Sequence, residues 1–581
     1  MNRNTQAHFA NIPGVEIGRS KFDRSFTHKT SWKNGQLIPV FCDMDIVPGD
    51  TVSMKQAEVV RLVTPVTPVM DNAVMDFYWF FIPNRLVYEK FKEFMGENST
   101  APWTSNYDGQ IPQLKMQSGL KNSTTNNLTA IVRDKALLDY LGIPPQTDWA
   151  YATSGSAHYK EIQVSALPAR AYCLIWNEFF RDENLQNPVE IDLGSTTQSI
   201  VNVSDADYID DPDACTVEYE QLGGLPPLNV CKTHDYFTSC LPGAQKGPAV
   251  TVPLSNNPDD SYVKIKNYSG STSDMDGQRA WFKATYHSGA GNPYNDVELG
   301  TTDVVSGTNS IPGESFNTNL YVDLERATGA TVTQLRQAFA IQKFYERDAR
   351  GGTRYIESVW SHFGVRNPDF RVQRPEYLGG WRQRININQV IATNESDSAT
   401  LGETGAYSVT SHTDGNVFTH SFTEHGILMG VMCCRQESHT YAQGINRAWF
   451  KKDRLDFYSP EFANLSEMAV KNREIYAQGT SDDDKVFGYQ EAWAEMRYFP
   501  DRCSAEMRPD GTQQLGDVWT WADWYETKPR LGDKWIKEGP ENIDRTLALS
   551  NQQQFWGDFY FGATYTRPMP LYSIPGLIDH H

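Results

Sequence analysis

The sequence predicts a mainly β chain, an antiparallel sandwich with long inserted loops and several helices. Three observations point there. Short apolar runs are cut by turn residues from Gln36 onward, and the run Gly426 to Cys434 is apolar at both strand parities. Strands and helices also fail to alternate in the strict βαβ order of a parallel sheet. With 581 residues the chain exceeds the roughly 250–300 at which a single core stops growing, so two domains or one elaborated domain are expected.

Residues 1–35 lack sustained periodicity and read as an extended basic arm, ordered only where something holds it. Leu37 to Val47, a Pro48-Gly49-Asp50 turn, Thr51 to Val63 and Ala73 to Ile82 read as three strands. Pro65 and Pro68 cannot donate to a central ladder and mark an edge or a crossover. Leu86 to Met95 predicts a short helix closed by Gly96.

Between Pro168 and Leu185, the residues Tyr172, Ile175, Trp176, Phe179 and Phe180 recur at helical spacing. A second helix begins at Thr331, which has capping-box spacing to Gln334, and runs to Gly351 and Gly352. It resumes as Thr353 to Phe363 and stops at Gly364. Trp381 to Ile391 and Gly426 to Cys434 read as later strands, the second covered on both faces. The predicted organisation is an arm at 1–35, a first core part at 36–254, a surface excursion at 255–318 and a second core part at 319–581.

Charge narrows the partners. The chain carries 52 Lys+Arg against 72 Asp+Glu, a net charge of −20, so one copy repels nucleic acid as a whole. Half of that excess falls between Val201 and Leu320, with 6 basic and 16 acidic residues, which suits a solvent-facing segment. Two regions lean the other way. One is the arm, with Arg3, Arg19, Lys21, Arg24, Lys29 and Lys33; the other holds Arg366, Arg371, Arg374, Arg382 and Arg384. These residues either face DNA or form carboxylate forks between subunits.

Motifs for chemistry are missing. The acidic run Asp205, Asp207, Asp210, Asp211, Asp213 lacks the Gly and terminal Glu of a calcium loop, and a solvated loop is the simpler reading. His412, His420, His425 and His439 lie near Cys433 and Cys434 without zinc-ligand spacing and read as core or turn residues. Neither a nucleophile elbow nor a phosphate loop occurs, so no catalytic residue, metal or cofactor is expected. Eight Cys without a CxxC pair imply reduced thiols, and no apolar run approaches the roughly 20 residues of a membrane span, which suits a cytoplasmic chain. Abundant rings, at 12% of residues, suit surfaces buried against neighbours. A carbohydrate-binding or carbohydrate-cleaving β-sandwich is the rival reading, since it too would display aromatics and carboxylates.

Several strings, in order, resemble the major capsid proteins of the Microviridae, in the gokushovirus branch. They are FDRSFTHKT from Phe22, WFFIPNRL from Trp79, LPARAYCLIWNEFFRDENL from Leu167 and RDARGGTRYIE from Arg347, followed by HFGV from His362, RPEYLGG from Arg374, FTEHGI from Phe422, FGYQEAWAEMR from Phe487 and RPMPLYSIPGLIDH from Arg567. Cys173 and Met496 depart from the pattern, where Asn and Tyr are expected.

The resemblance implies an eight-stranded antiparallel jelly roll whose copies close, through pentamers, into a T=1 icosahedral shell around a circular single-stranded DNA genome. It implies a virion protein assembled in a bacterial cytoplasm, with a pilot or minor virion protein and a host surface receptor as partners. The excursion would cluster at threefold axes as a protrusion. There Tyr262, Tyr268, Trp281, Tyr286 and Tyr294 would either meet the host or hold the protrusion together. Because the subunit is acidic, a small basic internal protein is expected to neutralise the genome, leaving DNA contact by this chain mostly indirect.

Overall fold

The computed structural model describes residues 18–97, 109–117, 132, 134–145, 161–199, 226–248, 265–267, 281–287, 294–300, 320–322, 332–350, 354–366, 368–385, 389–391, 404–407, 410–510, 515–549 and 552–572. The chain divides into two compact units, one made of Met1–Lys246 with Glu346–His581, the other of Gly247–Tyr345.

Nine strands build the two main sheets of the first unit: β1 (Ser20–Asp23), β2 (Phe26–Trp32), β3 (Ile38–Ile46), β4 (Thr51–Leu62), β5 (Ala73–Pro83), β6 (Glu376–Ile385), β7 (Thr410–Ser421), β8 (Gly426–Gln436) and β9 (Phe555–Arg567). One sheet has the order β1-β9-β4-β7, with β2 also on β9; the other has the order β6-β5-β8-β3. Every pairing in both sheets is antiparallel. The class expected from the sequence, mainly β and antiparallel with several helices, is therefore present.

Residue pattern explains how the sheets pack. In β4 the alternate residues Val52, Met54, Gln56, Glu58 and Val60 are buried while Lys55, Val59 and Arg61 are exposed, the period of a strand wet on one face. β5 is buried at ten of its eleven positions, because both of its faces are covered. Between the sheets lies a core of Phe41, Phe77, Trp79, Phe559 and Phe561, with the Phe41 and Trp79 rings 5.1 Å apart and Trp79 and Phe561 5.7 Å apart.

Across the β6-β5-β8-β3 sheet, its other face packs on helix α1 (Leu167–Ile175) and neighbouring loops. There Phe80 meets Phe179 at 4.6 Å, and the buried Tyr172 hydroxyl donates to the Leu37 carbonyl at 2.8 Å. β8 spans Gly426–Gln436, where the two-sided apolar run predicts a strand. One face forms the sandwich interior and the other meets the helical insertion.

Several elements differ from expectation for identifiable reasons. The helix expected through Leu185 is α-helical only to Ile175. Trp176–Phe180 forms a wider π turn, closed by the Arg181 N–H on the Trp176 carbonyl at 2.9 Å, and Arg181 is extended. Leu86 to Met95 breaks into two short helices, Asn84–Val87 and Phe91–Phe94, and ends as predicted at Gly96, whose φ is +97°. The strand expected to start at Trp381 starts at Glu376, past a bulge at Tyr377/Gly379, and ends at Ile385, with Gln389–Ile391 a separate short strand. Residues 20–32 have the holder they require: β1 and β2 lie along β9, burying Trp32 and tucking the Phe26 ring 5.4 Å from Phe561.

In the second unit, strands Trp281–His287 and Tyr294–Gly300 pair as a hairpin, and Ile265–Asn267 pairs with Leu320–Val322. The predicted excursion at 255–318 falls within this unit. Helix α2 (Val332–Arg350) begins in this unit and ends in the first, and α3 (Tyr355–Phe363), in the first unit, ends at Gly364 with φ +71°.

Candidate functional surfaces

The basic residues singled out above are largely engaged within the chain. Arg3 lies outside the described residues. Arg19 and Lys21 are exposed around the start of β1. Arg24 pairs with Asp43 at 2.6 Å and sits over the Tyr565 ring, Lys29 pairs with Asp558 at 3.1 Å, and Lys33 is half-buried.

In the second basic group, Arg382 grips Asp76 with two hydrogen bonds, of 2.6 and 2.9 Å, while Arg435 approaches the same carboxylate from the next strand. Burial opposes ionisation of Asp76, but the two guanidiniums outweigh it and lower its pKa. Arg384 pairs with Glu437, and Arg374 with Asp369 at 2.7 Å. Arg366 stacks over Trp360 at 4.6 Å and Arg374 over Phe179 at 4.5 Å, lining an open depression of about 310 Å³ together with Arg354, Glu178 and Glu357. Arg371 is exposed. The carboxylate fork at Arg382 thus forms within one subunit.

Among the predicted protrusion residues, Trp281, Tyr286 and Tyr294 lie on the hairpin, opposite Gly300, Asn295 and His287. Tyr262 and Tyr268 lie outside the described residues, as do Asp205, Asp207, Asp210, Asp211 and Asp213.

The densest polar cluster was not foreseen as a unit. His439, buried as a core residue, contacts Glu538 through Nε2 at 2.8 Å and Asp523 through Nδ1 at 3.4 Å. Lys232 reaches Asp523 at 3.1 Å, and the Asn542 amide and Tyr525 hydroxyl donate to it at 2.6 and 2.9 Å. Asn34 donates to Glu538 at 2.6 Å, and Gly35 follows in a left-handed turn with φ +82°. Burial alone would lower the imidazolium pKa, yet Glu538 and Asp523 override it and raise it to about 10. Burial likewise opposes the charge on Asp523, but Lys232 and His439 hold that carboxyl far below its ordinary range.

These groups come from five distant stretches of sequence, which is why no local spacing announces them. Each charged group there faces a partner of opposite sign, so the cluster fastens the fold and leaves no acid or base of its own unpaired. Burial also pushes the thiols of Cys42, Cys231 and Cys433 up to about 12, far from a reactive thiolate. Among the described residues no group of three or more His, Cys, Asp or Glu could hold a metal ion, and no helix is long and apolar enough to cross a membrane.

The surface carries large apolar side chains instead. Trp449 is 80% exposed and Phe499 74%, at the rim of a cavity of about 400 Å³ lined also by Tyr441, Arg447 and Glu474. Phe363, Leu455 and Tyr572 are similarly uncovered, as are Trp556 and Tyr560 on β9. Such a display marks contact surfaces more readily than a catalytic cleft.

Comparison with known proteins agrees. A family model described as capsid protein (F protein) matches residues 10–577. The capsid protein VP1 of Bdellovibrio phage phiMH2K is 36% identical over 579 residues, covering 99% of this chain and 98% of that protein. Those of Chlamydia phage 1 and Spiroplasma virus 4 are 34% and 35% identical, covering 98% and 99% of this chain and 97% and 98% of their own. The whole-length match sets the carbohydrate-active sandwich aside. The chain belongs to the capsid protein (F protein) family, as the structural major capsid protein of a Microviridae-type, gokushovirus-like bacteriophage, and is not an enzyme.

Proposed function

We propose that copies of this subunit close, through pentamers, into a T=1 icosahedral shell around a circular single-stranded DNA genome, assembling in the bacterial cytoplasm. The observation that carries the reading is the near full-length likeness to VP1 coat proteins of three phages. The sheet orders support an eight-stranded jelly roll. Four strands run β2-β9-β4-β7, β1 extends the β2 edge, and four run β6-β5-β8-β3. Exposed Trp449, Phe499 and Phe363 supply contact area that a solitary soluble chain would rarely leave open.

In this reading residues 1–35 are a basic arm, 36–254 and 319–581 the two parts of the core, and 255–318 the outward protrusion at threefold axes. Tyr262, Tyr268, Trp281, Tyr286 and Tyr294 meet a bacterial surface receptor. Arg19, Lys21, Lys33 and Arg366 are the residues most able to face DNA or a neighbour, since no ion pair holds them among the described residues. A net charge of −20 per copy supports a separate small basic protein as the main neutraliser of the genome, with a pilot protein completing the particle.

Electron microscopy and mass measurement of the expressed protein test the shell. Closed particles or pentamers are expected, and a monodisperse monomer at every salt concentration would overturn the reading. Deleting 255–318 should preserve particles and abolish host attachment; lost particles would assign the protrusion to threefold cohesion.

A further inference from the structure

We propose that the open face of the β1-β9-β4-β7 sheet binds single-stranded DNA, with Trp556 and Tyr560 as base-stacking platforms and Lys55 and Arg61 as phosphate contacts. The inference rests on the reading of a shell that encloses a single-stranded genome, and it adds a place on this chain where that genome touches.

The alternation of β9 selects the platforms. Phe555, Phe559, Phe561, Ala563 and Tyr565 are buried, so the interleaved positions point away from the core. Two of those hold large rings: Trp556 is 56% exposed and Tyr560 47%. Nothing in the sandwich requires a ring there, because Thr and charged residues occupy comparable outward sites on β2 and β4. Being four residues apart on one strand, the two rings stand about 14 Å from each other on the same face. Gly562 keeps space beside Tyr560: a Cβ at that glycine would lie 3.4 Å from the tyrosine ring and 3.3 Å from the Cβ of Lys55.

Cations flank both rings. Arg61 is the direct cross-strand neighbour of Trp556, and Lys55 is the neighbour of Gly562, one step along the face from Tyr560. Neither the Lys55 nor the Arg61 side chain makes a hydrogen bond or ion pair among the described residues, and both residues are exposed. On β1, β2, β4 and β9 the exposed charged residues are Lys21, Lys29, Lys55 and Arg61 against Asp23 and Asp558, and Asp558 is already occupied by Lys29 at 3.1 Å. A cationic face on a chain of net charge −20 is a local choice against the average.

Protein partners fit this face less well. Interface cores are depleted in lysine, whereas unpaired cations beside exposed rings match the stacking-plus-backbone scheme of sequence-tolerant single-strand binders. The outer face of the opposite sheet has no such opening, being covered by α1 and its loops.

Fluorescence anisotropy of a labelled oligothymidylate, titrated with unassembled full-length protein at several salt concentrations, tests the site. Trp556→Ala and Tyr560→Ala should each weaken binding by roughly 5- to 150-fold, and Trp556→Phe should recover most of the loss. Lys55→Ala with Arg61→Ala should lower the slope of log affinity against log salt by about 1.4. Circular-dichroism melting checks that each variant folds. Wild-type binding that none of these substitutions changes would place the DNA elsewhere and overturn the site while leaving the shell intact. Absence of wild-type binding at low salt would also overturn it, and micrographs of the same preparation would show separately whether the shell reading survives. Variants that keep DNA affinity but lose particles would reassign the face to subunit contact.

Discussion

The two sheets of the sandwich share one interior but differ on their outer faces. β5 and β8 are covered on both sides, by the opposite sheet and by the α1 insertion. β4 and β9 are covered on one side only. The same strand geometry therefore does two jobs, anchoring the fold where both faces are dry and presenting side chains where one face is wet. Mutational cost should follow that division, and its gradient is a direct way to break the comparison.

The largest loss is expected from Trp79→Ala at the centre of the dry sheet, about 3–5 kcal/mol by denaturant unfolding, because a fully buried ring leaves a cavity bounded by Phe41, Phe418 and Phe561. His439→Ala should cost a similar amount, about 3–5 kcal/mol, by leaving Glu538 buried without its cation and Asp523 with Lys232 alone.

That cluster also sets a pH response. His439 is raised from 6.5 to about 10, so its contribution is full below 6.5 and fades as pH rises through about 10. Asp523 is depressed below its ordinary 3.8, so its contribution is full above that value and is lost as pH falls further. Melting temperature measured across pH should be highest between these limits on their account. A His439→Gln protein that keeps the same alkaline decline would show that other groups cause it.

Gly35→Ala should cost about 2 kcal/mol or more, since φ is +82° and the new Cβ would sit 2.2 Å from the Glu538 carbonyl oxygen. The smallest effect on stability belongs to Trp556→Ala on the wet face, within about 0.5 kcal/mol. A melting shift there as large as that of Trp79→Ala would erase the distinction between the two sheets.

The same contrast explains what could be read from sequence. β5 and β8 are almost continuous apolar runs, because both faces select for burial, β3 is apolar as far as Cys42, and the extents of all three were legible within a few residues. β2 escaped notice because FTHKTSW has few apolar residues to alternate, and its order comes from β9, far away in sequence. β9 was hidden by its outward Trp556 and Tyr560, which blur the period of two, and by Gly557 and Gly562, which read as breakers. β7 carries Gly415 and Asn416 at its irregular pairing with β4. The charge cluster around His439 is assembled by tertiary folding alone, so single residues could be placed in the core but not joined to one another. Family strings supplied the function, because shell-building leaves no compact chemical motif.

The lateral union of β1 and β2 with β9 has a kinetic consequence. At about 5–20 residues per second, the interval between the departure of β2 and of β9 from the ribosome lasts from about half a minute to nearly two minutes. Throughout that time Phe26, Trp32 and the inner row of β4 lack the strand that covers them. A nascent chain therefore cannot offer a finished sandwich to its neighbours, and competence to polymerise arrives only once β9 has been made. Synthesis itself acts as a timer that separates making a subunit from joining it to others.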